Sequence, residues 1–374
     1  MLRGELDPEY LLALARLHRV RPLLYWQLHT HCREEIPGAL LAQLKESFYA
    51  NVAHNLYLTA ELLHLLDQLD RQGIPAVPFK GPVLATSIYG NTMLREAGDL
   101  DLLVQKRDVL RGRDVLLSLG YLPRVNFSAA QEAEQLRSSH QYGFVREDRR
   151  VEVELQWGVT RSFLSSPLDA EGLWERLQTV SLGGTSVPTL APEDLLLLLC
   201  VHGAKHCWSR LAWICDIAEL IRAHPELDWE TILEQATARG GRRMLLLGVR
   251  LAHDLLGVPL PAHPAALVRA DRTAKALATS VRDRLFPEPH ELVAGTERSA
   301  VYTMQFNLAS RERLRDKMRC FTRLIAPGAR DEALLPMPGR FALLHYVLRP
   351  LRLLRQYGFP RSQPGRQGGT RAWL

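Results

Sequence analysis

The sequence predicts an α+β protein: a small mixed sheet set between an N-terminal run of helices and a C-terminal helical part. Three observations carry that reading. Apolar residues recur at spacings of three and four over residues 8–72 and again over 192–257. Between these lie short apolar or alternating runs at 74–79, 99–104, 141–146 and 151–157, bounded by glycine, proline and charged residues. A hydrophobic content of 47% with 24% charged residues is that of an ordinary globular chain.

The 374 residues are enough for more than one core. The net charge of +6 suits an anionic ligand such as a nucleotide and falls short of a nucleic-acid-binding footprint. Cys32, Cys200, Cys207, Cys215 and Cys320 are odd in number and form no CxxC pair, which argues against a disulfide framework or a zinc ribbon. The start MLRGELDPEY lacks the apolar stretch of a signal peptide, and no apolar run is long enough to span a bilayer. The expectation is a cytoplasmic protein with no membrane partner.

Taken in order, Pro8 opens a helix carrying LLALARLHRVRPLLYWQL, and Leu40–Asp70 continues the helical spacing until Gly73 stops it. Residues 1–72 form the first expected unit, a helical scaffold in which His29, His31, His54 and His64 lack metal-ligand spacing. The core, 73–190, begins with IPAVPF, a short buried strand interrupted by Pro75 and Pro78. Lys80-Gly81 ends it, and a helix follows over Pro82–Tyr89. A strand, a tight glycine turn and a helix can present backbone N–H groups to phosphates. A connection carrying Arg95 leads to Gly98-Asp99-Leu100-Asp101-Leu102-Leu103-Val104. As a strand, this run places Asp99 and Asp101 on one face with Leu100 and Leu102 on the other.

Two carboxylates so placed repel one another unless a cation neutralises them, and hard oxygen ligands suit Mg²⁺. The plain alternative is a strand end bearing two solvated acids. A polar helix is expected over 106–119, and Tyr121-Leu122 begins another strand. QYGFVR and VEVELQW read as an antiparallel pair. In the second, Val151, Val153 and Leu155 share one face while Glu152, Glu154 and Gln156 share the other, so either glutamate is a candidate third carboxylate. Residues 161–190 read as an irregular connection with one helical turn near 173–177.

Pro192-Glu193-Asp194 opens the next expected unit, 191–290, with a long apolar helix through LLLLLCVHGAKHCW. His202 and His206 lie four apart and so share a helix face, with Lys205 beside them. RLAWICDIAELI follows as a second helix carrying Asp216. His202, His206 and Asp216 have a rival reading as zinc ligands, against which stand the missing HExxH pattern and the adverse charge of Lys205. Residues 291–374 form a last unit, with a basic helix at 311–323 and a tail rich in Gly, Pro and Arg that reads as disordered.

These pieces in this order resemble the bacterial uncharacterised nucleotidyltransferase family of the DNA polymerase beta-like superfamily. The resemblance rests on Lys80-Gly81, Tyr89, Arg95, Asp99-Leu100-Asp101, Glu154-Leu155-Gln156-Trp157, His202-Gly203-Ala204-Lys205-His206 and Arg210-Leu211-Ala212-Trp213-Ile214-Cys215-Asp216, within about residues 40 to 260. It implies a polymerase-beta-like core and transfer of a nucleoside monophosphate from an NTP, ATP first among them, to an unknown hydroxyl or phosphate acceptor, with release of pyrophosphate.

It further implies that Asp99, Asp101 and Glu154 hold Mg²⁺ or Mn²⁺ and act as the catalytic acids. Lys80, Gly81, Arg95, Lys205, His202 and His206 fall on the nucleotide side. Arg95 has two readings, as a phosphate ligand or as a brace for the acidic strand. The chain departs from the family pattern in carrying Glu154 where an Asp is more usual and Gln156 where a His is often found. These departures keep open an inactive nucleotide-binding or protein-interaction module on the same scaffold. A nucleic-acid partner held by the Arg-rich C-terminal region is the less favoured reading.

Overall fold

The computed structural model describes residues 7–146, 148, 151–158, 170–289 and 300–325. Three helices lead: α1 (Pro8–Leu17), α2 (Arg21–His31) and the long α3 (Gly38–Arg71). Asp7 caps α1 by accepting from the backbone N–H groups of Glu9 and Tyr10. One stripe of α3, with Leu58, Leu62, Leu65 and Leu69 at helical spacing, is buried against the sheet.

The sheet contains β1 (Ala76–Pro78), β2 (Leu100–Val104), β3 (Tyr121–Pro123), β4 (Gln141–Arg146) and β5 (Glu152–Gln156), in the order β1-β2-β5-β4-β3. Only β2 and β5 run parallel; the other pairings are antiparallel. Pro78 fits because β1 is an edge strand, where a missing N–H is tolerated. Between the strands lie α4 (Gly81–Tyr89), a 3₁₀ turn at Thr92–Leu94, α5 (Val109–Ser118) and α6 (Ala129–Ser138).

The two faces of the sheet feed different cores. Leu100, Leu102, Val104, Val153 and Leu155 pack under α3 and α5. Val77, Phe79 and Leu103 face the other way, into the core of the helical part. That part is built from α7 (Ala170–Glu175), α8 (Pro192–Lys205), α9 (Leu211–Ala223), α10 (Trp229–Arg239), α11 (Arg242–Leu256), α12 (Ala262–Ala270) and α13 (Arg272–Leu285), followed by helices at Ala300–Ala309 and Leu314–Ile325. Leu195–Leu199 of α8 and Trp208 form the centre of this core. The polar residues of the strand face that meets it are thereby held in a cleft between sheet and helices.

Two elements depart from the sequence expectation. Residues 178–189 are a β-hairpin, β6 (Gln178–Leu182) and β7 (Thr185–Thr189), rather than an irregular connection. Its turn is Gly183-Gly184, both with positive φ, the conformation a two-residue hairpin turn demands. Helix α6 lies where no element was expected. Ser128 and Gln131 cap it reciprocally, Ser128 Oγ accepting from the Gln131 N–H and the Gln131 side chain accepting from the Ser128 N–H. The tail at 360–374, read as disordered, lies outside the described residues. Among the described residues no helix is long and apolar enough to cross a membrane.

Candidate functional site

The site is organised by the pairing of β2 with β5. Asp101 stands directly opposite Glu154 in that parallel register, and Gly143 of β4 stands opposite Glu154 on its other side. Asp99 precedes β2 by one position and is half-buried. Asp101 is 1% exposed, so strand alternation has carried a carboxylate fully into the cleft while Leu100 and Leu102 fill the opposite core.

Lys80 Nζ lies 3.1 Å from Asp101 Oδ1. Gln156 Nε2 donates to the same Oδ1 at 2.6 Å and to Glu154 Oε2 at 3.1 Å. Asp101 Oδ2 is buried with no hydrogen-bond partner among the described residues. Burial pushes the Asp101 carboxyl up to about 6; Lys80 opposes this, and Asp99 and Glu154 add to it. Burial works to lower the Lys80 ammonium, but attraction to Asp101, Asp99 and Glu154 outweighs it, so Lys80 is raised and stays charged. Glu152, the other candidate third acid, turns to Arg124 at the rim and is excluded from this network.

Gly81 brings a helix start against the acids. Its φ is +62, and a Cβ there would lie 3.1 Å from the Asp99 carbonyl oxygen. A glycine is therefore required twice over, for the left-handed backbone and for the close approach. No side chain caps α4, so its first N–H groups have no side-chain acceptor at the lip of the cleft.

The helical wall comes from the end of α8. Cys207 and Trp208 adopt φ of 53 and 49, reversing the chain. Trp208 N–H donates to the Gly203 carbonyl at 2.8 Å, and the indole lies where any Cβ on Gly203 would sit 2.5 Å from it. Gly203 thus makes room for Trp208. The His202 and His206 rings lie 4.8 Å apart, each within 5.3 Å of Trp213, and Arg210 stacks over Trp213. Burial, then the nearby charges of Lys80, His206, Lys205 and Arg95, holds His202 well below the usual imidazole value, so it is neutral at pH 7.

Arg95 is committed elsewhere. Its Nε and Nη2 donate to the two carboxylate oxygens of Asp216 at 2.9 and 3.0 Å, and Tyr89 Oη donates to Asp216 Oδ1 at 3.0 Å. Arg95 ties the core to α9, and Asp99 of the acidic run adds to the attraction that keeps it charged. Asp216 is consumed by the same pairing, which removes it as a zinc ligand.

Among the described residues no three His, Cys, Asp or Glu groups surround a common point as a ready metal cage. The donor set nevertheless fits a hard cation. Mg²⁺ is commonly held by one or two carboxylates with the remaining positions filled by water and phosphate oxygens, and Asp101 Oδ2 is an unpartnered buried acceptor beside two further acids.

A cavity of about 510 Å³ adjoins Glu154. Glu154 and Lys205 both line it, together with Asn126, Phe127, Gln135 and Tyr142 from the β3–β4 side and α6. Sequence reasoning had no access to this cavity, because the loop and helix that wall it carried no expectation. It also passed over Arg19, whose guanidinium Nη1 lies 3.1 Å from where a Cβ on Gly98 would sit.

Residues 4–257 match the family of uncharacterised nucleotidyltransferases. No curated protein matches the chain. Among solved structures, that of an antigenic nucleotidyltransferase-like protein from Paracoccidioides brasiliensis is similar, at 15% sequence identity over 59% of this chain and 92% of that chain, with a TM-score of 0.34.

Proposed function

The chain belongs to the family of uncharacterised nucleotidyltransferases, and from that premise we propose that it is a Mg²⁺-dependent enzyme transferring a nucleoside monophosphate from an NTP to a hydroxyl or phosphate acceptor. One observation carries the reading: Asp101 and Glu154 face each other across β2–β5, beside the Lys80-Gly81 start of α4. Acids, a lysine and an uncapped helix start are the parts that nucleotidyl transfer needs, because such reactions depend on positioning and charge neutralisation more than on covalent chemistry.

Asp99, Asp101 and Glu154 would hold the Mg²⁺, which when bound neutralises charge on the phosphates and acidifies the acceptor hydroxyl. The triphosphate rests on the N–H groups of Gly81 and Val83 at the start of α4, which Gly81 allows to pack against the Asp99 carbonyl beside the acids. Lys80 and, across the cleft, Lys205 neutralise it. His202 and His206, with Trp213, line the nucleotide side. The acceptor occupies the cavity beside Glu154. Its oxygen attacks the α-phosphorus, its proton passes to Glu154, and the bond to the β-phosphate breaks so that pyrophosphate leaves with the electron pair. Gln156 holds Glu154 and Asp101 in register by donating to both. ATP is the first donor to test.

A second reading is favoured by the occupancy of Asp101 Oδ1, which Lys80 and Gln156 already satisfy. On it, the protein binds nucleotide without transferring it. Incubating the chain with NTPs labelled at the α-phosphate, Mg²⁺ and cell extract separates the two. Label appearing on an acceptor, with pyrophosphate released and both lost in Glu154→Gln, is the expected result. Nucleotide binding with neither product overturns transfer and supports the binding module.

A further inference from the structure

The loop joining α1 to α2 is built as a mount for one side chain. Arg19 N–H donates to the Arg16 carbonyl at 3.2 Å and Val20 N–H to the Ala15 carbonyl at 3.0 Å, the pattern of a helix end that normally places glycine or asparagine in the left-handed region. Arg19 occupies that position with φ of 54. The residues on either side are clamped. His18 accepts from the Leu211 N–H at Nδ1 (3.3 Å) and donates from Nε2 to the Leu285 carbonyl (2.6 Å), and its own carbonyl accepts from Ala212 N–H at 3.2 Å. Arg21 pairs with Glu96 through Nε and Nη2 at 3.0 and 3.2 Å. Between these anchors Arg19 is held in a backbone state that an arginine does not favour.

Its guanidinium lies against Gly98, with Nη1 3.1 Å and Cζ 3.8 Å from where a Cβ would be. Gly98 precedes Asp99, and the Asp99 carbonyl in turn abuts Gly81 at the start of α4. Arg19, Gly98, Asp99 and Gly81 therefore form one continuous rim. The other arginines of this rim are taken: Arg21 by Glu96 and Arg95 by Asp216. Among the described residues no hydrogen bond or ion pair engages the Arg19 guanidinium, and the residue is exposed.

We propose that Arg19 is a phosphate ligand supplied by the N-terminal helices, binding the β- and γ-phosphates that leave as pyrophosphate. This rests on the nucleotidyl-transfer reading of the same site and adds a residue from outside the sheet and α8. A guanidinium presents a planar fork that matches phosphate oxygens, and this one lies against Gly98, the chain neighbour of Asp99, whose carbonyl abuts Gly81 at the start of α4. Its use of an unfavourable backbone position is then explained: a glycine would serve the helix end and leave the phosphates without this contact.

The test is Arg19→Gly with Arg19→Lys beside it, titrated calorimetrically with Mg-ATP, inorganic tripolyphosphate and AMP. Glycine suits the left-handed position, so the variant is expected to unfold at the same or a higher temperature than wild type. Affinity for Mg-ATP and tripolyphosphate should fall about tenfold or more, as for loss of one charge-assisted contact, with AMP binding unchanged and lysine restoring part of the loss. Wild-type binding that survives in Arg19→Gly overturns the Arg19 assignment alone. A wild-type protein that binds neither Mg-ATP nor tripolyphosphate overturns the nucleotidyl-transfer reading, and this assignment with it.

Discussion

Replacing Asp101 by asparagine tests the electrostatics of the site without reference to its substrate. The Asp101 carboxyl moves from 3.8 to about 6 on folding, chiefly through burial. A carboxyl raised in the folded state contributes stability that is fully present below its unfolded value and is lost as pH rises through its folded value. Applied to these values, the wild-type protein loses about 2 kcal/mol between about pH 4.5 and pH 7 from this group. Asp101→Asn removes the titration and keeps the shape. It also deprives Lys80 of its nearest partner, but Lys80 is charged throughout this range, so that cost is a constant offset. Urea unfolding of both proteins across the range should therefore show the stability difference shifting in favour of the variant by about 2 kcal/mol as pH rises. Added Mg²⁺ should stabilise wild type at pH 7 and leave the variant unmoved, while transfer is abolished. A stability difference that stays flat with pH, or shifts the other way, refutes the raised carboxyl; wild-type transfer by the variant refutes its role as a metal-holding acid.

Gly81→Ala combines a left-handed φ with a contact 3.1 Å from the Asp99 carbonyl, whereas Gly90→Ala has a similar φ of +64 and nothing within 4 Å. Both should lose about 1–2 kcal/mol in urea unfolding from the backbone alone, and only Gly81→Ala should lose nucleotide affinity by calorimetry; equal binding in the two would remove the close approach from the argument. Asp216→Ala strands Arg95 in a buried setting and should cost about 3–5 kcal/mol in the same unfolding assay, a loss below 1 kcal/mol showing that the pair does not join the core to α9.

The sequence made the periodic parts legible and the long-range parts illegible. The helical spacing of α3 and α8 and the alternation of β5 are local signals, and they put Asp101 and Glu154 on the correct strand faces. Alternation cannot choose between Glu152 and Glu154, because they share a face; only the register of β5 against β2 shows which stands opposite Asp101. Arg95 had two plausible duties, and its actual partner lies 121 positions away. The β6–β7 hairpin was readable in principle from Gly183-Gly184 between Val180 and Val187, but the surrounding Ser and Pro residues drew the reading toward an irregular loop. Helix α6 announced itself through Ser128 and Gln131 three residues apart, a signal weakened by the absence of a strongly apolar face. The cavity beside Glu154 depends on how that helix packs, which no local pattern encodes.

Of the buried aspartates with cationic partners, Asp101 and Asp216 are the two that the sheet and α9 bring to this site, and they differ in what they leave unpaired. Asp216 is 1% exposed at its side chain and has every strong interaction it can use: two guanidinium bonds, one to each oxygen, and a tyrosine hydroxyl. Arg95 is raised by that attraction despite burial. A pair satisfied in this way fixes a geometry and has nothing left to offer a ligand. Asp101 is equally buried, yet both its partners crowd onto Oδ1 and leave Oδ2 orphaned. Its carboxyl is raised toward neutrality by burial, with two further acids adding to the effect. An uncompensated buried acceptor is a standing cost to the fold. It is tolerable where a bound cation removes it, and Asp101 has its unpartnered oxygen in the cleft that receives the start of α4, whereas Asp216 has none.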